Sequence, residues 1–568
     1  MKTPTLTEFM SLDWEKIQPL YQQLQAIVLT EDSLVAWMEQ WSDLRKLVDE
    51  RYARLSLAVN LDTEDEEAEK RYHDFLENVY PSTMAADQML KEKLLESGLT
   101  PTGMELALKK MRTESDLFRK ENLPLMTDES KLGTQYDKIF GAQTVEWQGE
   151  ELTLVQVNSA LITTDRAVRK ELWELLSQRQ LKDREAINDL WVKFMEIRGK
   201  LADNAGFPDY RAFRWQQQLR LDYSPQNSQQ FLDAVKNEVV PAATRTYERY
   251  KTRLGVEQVR PWDLLRNQST FSLPAIEAFK TEEEFTNRVG NILNQLDPVL
   301  GGYFESMQKD QLLDLMNRKG KAPGGFCTGF ATEGKPFIFM NAVGRSQDLR
   351  VLFHESGHAF HVYECSQLPY FHQWKVGMEF AEVASTTMEM LAAPYLAEDQ
   401  GGFMFPENAA RTRILNLEEK LLFWPYMAVV VAFQHWVYLN HEVASQPDAC
   451  DEKWGELIDL YMPGINWDGY EDVKKTGWHR KLHIFQVPFY YIEYGLAALG
   501  AFQIWENAQK DQKKALKQYR QALALGGTAS LPELYKTAGA NLAFDAKTMR
   551  KTVQLIERTL DELETQLA

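Results

Sequence analysis

Leu352-Phe353-His354-Glu355-Ser356-Gly357-His358-Ala359-Phe360-His361 is the stretch on which the reading of this chain turns. It contains His-Glu-x-x-His. On a helix, His354 and His358 leave one face a turn apart, and two neutral imidazoles at that spacing reach one Zn²⁺. Glu355 stands one position round from His354, close to the metal but badly placed to ligate it. A carboxylate there can take a proton from a water that the metal activates and pass it to a leaving amine. The spacing therefore points to metal-assisted hydrolysis of an amide. Phe353, Ala359 and Phe360 predict a buried helix, and buried imidazoles and carboxylates without a metal or partner are costly. Gly357 inside a helix costs about 1 kcal/mol against Ala, which makes sense where another element packs closely on that face.

Before this helix, Lys319 to Gly325 (KGKAPGG) is a Gly-rich approach to Phe326-Cys327-Thr328-Gly329-Phe330. No Gly-Lys-Ser/Thr follows, so a phosphate loop is a weak reading. A turn at Glu333-Gly334-Lys335 leads to Pro336-Phe337-Ile338-Phe339-Met340-Asn341, an apolar run of strand type. The short strand pair reads equally as ordinary core and as an edge that holds an extended peptide. After the helix, Val376 to Leu391 predicts a second amphipathic helix.

A catalytic zinc takes three protein ligands and keeps one position open. Three placements compete for the third. A metzincin needs Gly at position 361 and His at position 364, and this chain has His361 and Glu364. A thermolysin-type spacing falls near Met378–Glu379. The remaining option is Glu382 on the following helix, with Glu379 one turn before it and Glu389 two turns after. Three carboxylates on one stripe among Phe380, Ala384, Met388 and Leu391 repel one another unless a cation is present.

The rest of the chain sets the frame. At 568 residues it is too long for one core. A hydrophobic share of 44% and a charged share of 26% are those of a soluble globular protein. The net charge of −19 argues against nucleic acid and anionic membrane as partners. Cys327, Cys365 and Cys450 are widely spaced, which predicts reduced thiols and a cytoplasmic location rather than a disulfide framework. The N-terminus, from Met1 to Glu8, has no apolar h-region, and the longest uncharged apolar run, Leu421 to Phe433, is shorter than a bilayer span.

Residues 1–135 predict helices, with Ser33 as a cap before Trp37 and Trp41, a further helix over 48–60, an acidic solvent-facing run at 62–67, and helices over 83–98 and 102–117. Residues 144–156 alternate about a Gly turn and predict a hairpin. Thr164-Asp165-Arg166 caps a helix through Ser177, and helices resume to about 205. The turn cluster over 204–210 suggests a boundary between an N-terminal helical lobe (1–205) and a catalytic domain (206–568). Residues 225–320 predict helices broken at 260–263 and at Ser272-Leu273-Pro274. A long apolar helix over 408–443 is expected to break at Pro425. Residues 461–477 read as irregular, 489–501 as aromatic and small, and 547–567 as a charged amphipathic helix.

Taken together, His354-Glu355-Ser356-Gly357-His358-Ala359-Phe360-His361, Phe380-Ala381-Glu382-Val383-Ala384-Ser385 with Glu389, Gly324-Gly325-Phe326-Cys327-Thr328, the 336–341 strand, His483 to Gly495 and Gly526-Gly527-Thr528 to Ala538-Gly539 resemble the M3 metallopeptidases, most closely the oligoendopeptidase F-like branch. The resemblance covers about 140–568. It implies a mainly α, multi-helical, two-lobed zincin with a deep channel and a small sheet beside the His-Glu-x-x-His helix. It implies one Zn²⁺ per chain held by His354, His358 and Glu382, with Glu389 orienting His354 or His358. It implies an endopeptidase that takes short unfolded oligopeptides, with Glu355 as general base and acid. Peptide backbone would lie along Gly324, Gly325 and Phe326. A His and nearby Tyr hydroxyls on a C-terminal segment would stabilise the oxyanion; the matching positions are His483, Tyr491 and Tyr494, with Tyr490 as the neighbouring alternative. Two other readings stand beside this one: a metallocarboxypeptidase on a related helical scaffold, and an inactive peptide-binding protein, against which the intact Glu355 argues.

The spacing argument generates a direct test. Glu382→Ala is expected to lose zinc from dialysed protein far more than Glu379→Ala or Glu364→Ala, measured by metal analysis. Zinc content that followed Glu379 instead would restore the thermolysin-type spacing.

Overall fold

In a computed structural model, residues 4–264, 271 and 276–567 are described. The sequence break expected at Ser272-Leu273-Pro274 and the first three residues of the N-terminal stretch lie outside them. The protein is mainly helical, with two small sheets among the described residues. By contact it divides into two compact units. One comprises Met1–Asp116, Ile276–Ala409 and Gly500–Leu542; the other comprises Leu117–Ala275, Ala410–Leu499 and Ala543–Ala568. Contacts thus divide the chain otherwise than chain order at 205/206 does. The physical reason lies in the polar groups of the first helices, which are satisfied by the segment around residue 330 (below).

In the first unit the long N-terminal helix, Glu31–Leu61, begins at a capping box in which Thr30 accepts from the Ser33 amide and Ser33 answers back to Thr30. Ser33 is therefore the third helical residue and not the cap expected from sequence, and 48–60 belongs to the same helix. Trp37, Met38, Trp41, Leu44 and Val48 form its buried stripe, packed with Leu90 and Leu94 of Tyr80–Ser97. Buried Glu50 accepts the Thr332 amide at 2.7 Å, and Arg54 pairs with Glu333. The helix therefore holds the turn between two strands of the metal-site segment.

Numbering the strands in chain order, the hairpin is β1 (Thr144–Trp147) and β2 (Glu150–Thr153). It ends sooner than expected because Thr153 caps the helix Leu154–Ala160. The other sheet, in the first unit, has the order β3–β5–β4: β3 (Leu313–Met316), β4 (Phe326–Phe330) and β5 (Lys335–Ala342). β4 runs antiparallel to β5, and β3 lies parallel on its other side. The sequence reading missed β3 within a span read as helical. Lys321, its ammonium buried, donates to Asp314 Oδ1 (2.5 Å) and to the carbonyls of Met316 and Met340, which ties the Gly-rich loop to this sheet. Ile338, Phe339 and Met340 are fully or nearly fully buried where the His354 helix, Ser346–Cys365, packs on β5.

The helix Pro406–Leu439 runs 34 residues and continues through Pro425, where a break was expected. Proline removes one backbone hydrogen bond, but Leu421, Trp424, Met427 and Ala428 are completely buried around it, and that burial outweighs the loss. The helix is long and apolar enough to cross a membrane by length and composition, and 72% of its apolar window is buried within the protein.

In the second unit Arg198 is completely buried. Its guanidinium donates to Glu129 (2.7 Å), the Tyr438 hydroxyl (2.8 Å), the Ile484 carbonyl (3.1 Å) and the Phe485 carbonyl. Arg198→Ala strands those acceptors. It is expected to cost about 3 kcal/mol, the low end for a broken buried pair because Glu129 is partly exposed, measured by chemical denaturation. A loss within error of zero would show that water replaces the arginine.

Candidate metal centre

The site is built on two helices of the first unit, Ser346–Cys365 and Met378–Ala392. They touch at Gly357. A Cβ there would lie 2.5 Å from both the Ala384 carbonyl oxygen and the Ser385 Cα, a distance no real side chain tolerates. Only glycine lets the two backbones come this close, which explains its presence inside a buried helix. The second helix is held from its far side as well: the Tyr519 hydroxyl donates to the Ala384 carbonyl (2.9 Å) and the Tyr535 hydroxyl to the Glu379 carbonyl (3.1 Å).

This contact brings His354, His358 and Glu382 together, with one ligand atom from each within 4.8 Å of the others. The two imidazoles are 5.0 Å apart between centroids and nearly perpendicular. His354 Nδ1 lies 2.7 Å from Glu389 Oε1, and its Nε2 lies 3.4 Å from Glu382 Oε2. With the Nδ1 proton donated to Glu389, the Nε2 lone pair faces the space shared with Glu382 and His358. Buried Ser385, three residues on from Glu382, donates to Glu382 Oε2 at 3.1 Å. Two imidazole nitrogens and one carboxylate oxygen are a donor set that suits zinc, and the residues present fit that ion.

The charges bear the marks of burial. For Glu355, 7% exposed, burial pushes the pKa up to about 7. Glu382 and Glu389 add to the rise, while His354 and the Cys327 amide, which hydrogen-bonds the carboxylate, oppose it. Burial works against a charged His354, but the hydrogen bond and charge of Glu389, with Glu382 and Glu355 behind them, outweigh it and raise its pKa. Burial, then His354 and His361, lower His358 to about 3, so its ring is neutral and able to ligate.

The competing carboxylates are engaged elsewhere. Glu364 accepts from Arg520 Nε (2.7 Å) and the Tyr303 hydroxyl (3.2 Å). Glu379 is buried in the first turn of its helix and is not among the converging ligand atoms. His361 is buried edge-on to Phe380, its Nε2 without a hydrogen-bond partner among the described residues. Gly324 takes φ +104°, a conformation for glycine, and its carbonyl accepts from Asn341 (2.9 Å). Gly325 lies against Val351 of the His354 helix, and Phe326 opens β4 stacked on Phe339 at 4.8 Å.

In the second unit, His483, Tyr490, Tyr491 and Tyr494 form one aromatic cluster. The His483 ring is 4.8 Å from Tyr491 and 6.3 Å from Tyr494, and Tyr490 is 5.3 Å from Tyr494. Burial, with Lys481 nearby, lowers His483 to about 4. Tyr491 precedes the helix Ile492–Lys510 rather than lying on it, because Phe489 turns the chain with a left-handed φ of +65°. Such strain persists only where the surroundings impose it. Here the Phe489 amide donates to Gln434 (2.6 Å), and its carbonyl accepts from buried Arg220 (2.6 Å). Sequence reasoning quoted Ser385 without a role and missed Arg220 and Gln434; only the spacing of Ser385 from Glu382 carried a signal.

Residues 160–553 match the family model described as peptidase family M3. The chain belongs to peptidase family M3. It is 21% identical to the oligoendopeptidase F homolog of Borreliella burgdorferi over 99% of this chain and 95% of that one. It is 25% identical to oligopeptidase PepF of Bacillus subtilis over 58% of this chain and 48% of that one. Among solved structures, PZ peptidase A bound to an inhibitor superposes with a TM-score of 0.83 at 26% identity, covering 98% of both chains. Oligoendopeptidase F from Enterococcus faecium shares the fold at a TM-score of 0.63 and 17% identity, covering 97% of both chains. Within the family the chain sits with the oligoendopeptidase F-like branch, and it is a metalloendopeptidase.

The helix contact makes Gly357→Ala informative. The added methyl forces the helices apart, which is expected to cost roughly 1–3 kcal/mol and to weaken zinc binding, measured by thermal unfolding and chelator competition. Unchanged zinc affinity would show that the close approach does not set the ligand geometry.

Proposed function

We propose that this protein is a zinc-dependent endopeptidase that cuts internal bonds of short, unfolded oligopeptides. The observation that carries the reading is the convergence of His354, His358 and Glu382, with Glu355 buried beside them, in a chain of family M3. One Zn²⁺ would be held by those three side chains, with Glu389 fixing the His354 tautomer. Bound zinc supplies Lewis-acid polarisation of the scissile carbonyl and a lowered pKa for the attacking water.

The chain's own residues do the rest. The outer edge of β4, led in by Gly324, Gly325 and Phe326, takes the substrate backbone as an added strand. Glu355 accepts a proton from water as the new C–O bond forms. A pKa pushed upward suits a base that must later act as an acid. Glu355 then delivers that proton to the nitrogen as the C–N bond breaks. Following the family resemblance, we give the oxyanion to hydroxyls of Tyr491 and Tyr494, with His483 alongside and Tyr490 as the alternative donor. A cytoplasmic location, which the three free cysteines suit, belongs to the same reading.

A quenched peptide with both ends blocked tests the class. Cleavage inside it, lost on chelation and restored by zinc, is expected; trimming only of peptides with a free C-terminus would favour the carboxypeptidase, and no turnover at all the inactive binder. Glu355→Gln is expected to keep zinc and lose roughly 10²–10⁴-fold in turnover. Near-normal turnover would remove Glu355 as the base.

A further inference from the structure

The two ligand-bearing helices are joined by residues 366–377, whose regular structure is a single 3-10 turn, Phe371–Gln373. Among the described residues, the Glu382 helix starts at Gly377 with no side-chain cap. The connection is gripped from outside. The Phe371 amide donates to Ser42 Oγ of the long N-terminal helix at 2.7 Å, and Ser42 is 1% exposed. Gln373, 2% exposed, donates to the carbonyls of Thr102 (3.2 Å) and Gly103 (3.1 Å) and accepts from the Tyr370 amide (3.1 Å). The His372 ring packs on Trp41 at 4.1 Å. From the other side, a Cβ at Gly527 would lie 2.4 Å from the Lys375 carbonyl oxygen, so backbone abuts backbone there too.

We propose that the N-terminal helices serve the metal centre as positioning elements: by gripping 366–377 they set where Glu382 stands against His354 and His358. This rests on those three residues being the metal ligands. The contact at Gly357 fixes the separation of the two helices; where the second helix begins is set by the connection that leads into it. A slip of one residue moves Glu382 by about 1.5 Å, whereas metal–ligand distances hold to about 0.2 Å. Tyr535 pins the Glu379 carbonyl and Tyr519 the Ala384 carbonyl; the grip on the connection sets where the helix begins. Ser42, Gln373 and His372 are thus positioning residues, acting through the connection they hold.

Full-length Ser42→Ala, Gln373→Met and His372→Ala are compared by chelator competition for Zn²⁺, thermal unfolding and hydrogen exchange at the Phe371 amide. Each is expected to weaken zinc binding roughly 10-fold, as loss of groups supporting a metal ligand does, with His372→Phe restoring it because the ring contact with Trp41 returns. In Ser42→Ala the Phe371 amide becomes labile. Leu90→Ala, a core truncation in the same helices, is expected to lower the unfolding temperature and keep zinc affinity. If Ser42→Ala and Gln373→Met keep parental zinc affinity, or if Leu90→Ala loses as much as they do, the positioning role is overturned. Glu382→Ala separates the two levels: if it too leaves zinc binding intact, the ligand assignment has failed; if it abolishes binding while the other variants do not, only the present inference has.

Discussion

The backbone-to-backbone approach at Gly357 is the constraint on which the rest of this site depends. Two imidazoles one turn apart are a local consequence of helix geometry, but a third ligand must come from another element, and its reach is short. A glutamate carries its carboxylate only a few ångströms from its backbone. The helix bearing Glu382 therefore has to lie almost against the helix bearing His354 and His358. A side chain at position 357 would meet the Ala384 carbonyl and the Ser385 Cα at 2.5 Å. The helix-propensity cost of one glycine is small beside the gain of a site that closes.

That closeness has an electrostatic consequence. Glu355, Glu382 and Glu389 crowd around His354, and three carboxylates this near repel in a poorly solvated place. The protein distributes them by partner. Glu389 accepts a hydrogen bond from Nδ1 of His354, Ser385 donates to one oxygen of Glu382, and the Cys327 amide of the neighbouring strand reaches Glu355. Facing inward are two imidazoles and a carboxylate whose donor set suits zinc, and one carboxylate whose proton affinity burial has raised.

The individual elements differed in how openly they announced themselves. Both ligand helices, the β4–β5 pair and the hairpin near residue 144 follow from period and turn chemistry. Pro425 misled because its rule is local, while the burial of Leu421, Trp424, Met427 and Ala428 around it is not. Leu313–Met316 is too short a run to separate from helix by periodicity, and it becomes a strand because β5 offers it an edge. Thr30 and Ser33 form a reciprocal box in which either looks like the cap until the backbone is seen. Nothing local in the aromatic run 489–501 marks where the helix begins, and the strained turn at Phe489, imposed by Gln434 and Arg220, puts Tyr491 before it. Glu364 and Glu379 could be told from Glu382 in sequence only by resemblance. In three dimensions Arg520 and Tyr303 account for Glu364, and Glu379 stands apart from the converging ligand atoms.

By itself the sequence determined the chemistry on offer: two histidines at ligand spacing, a glutamate between them, a carboxylate-bearing helix to follow, and a strand pair to precede them. Those are local facts, set by the 3.6-residue and two-residue periods of the chain. Tertiary structure alone brings Glu382 beside the two histidines and Glu389 against His354, and packs the first helices of the chain on the connection between the two helices that bear them. Each of these is a contact between residues tens to hundreds of positions apart, made by burial and close packing. No local period in the sequence records such contacts.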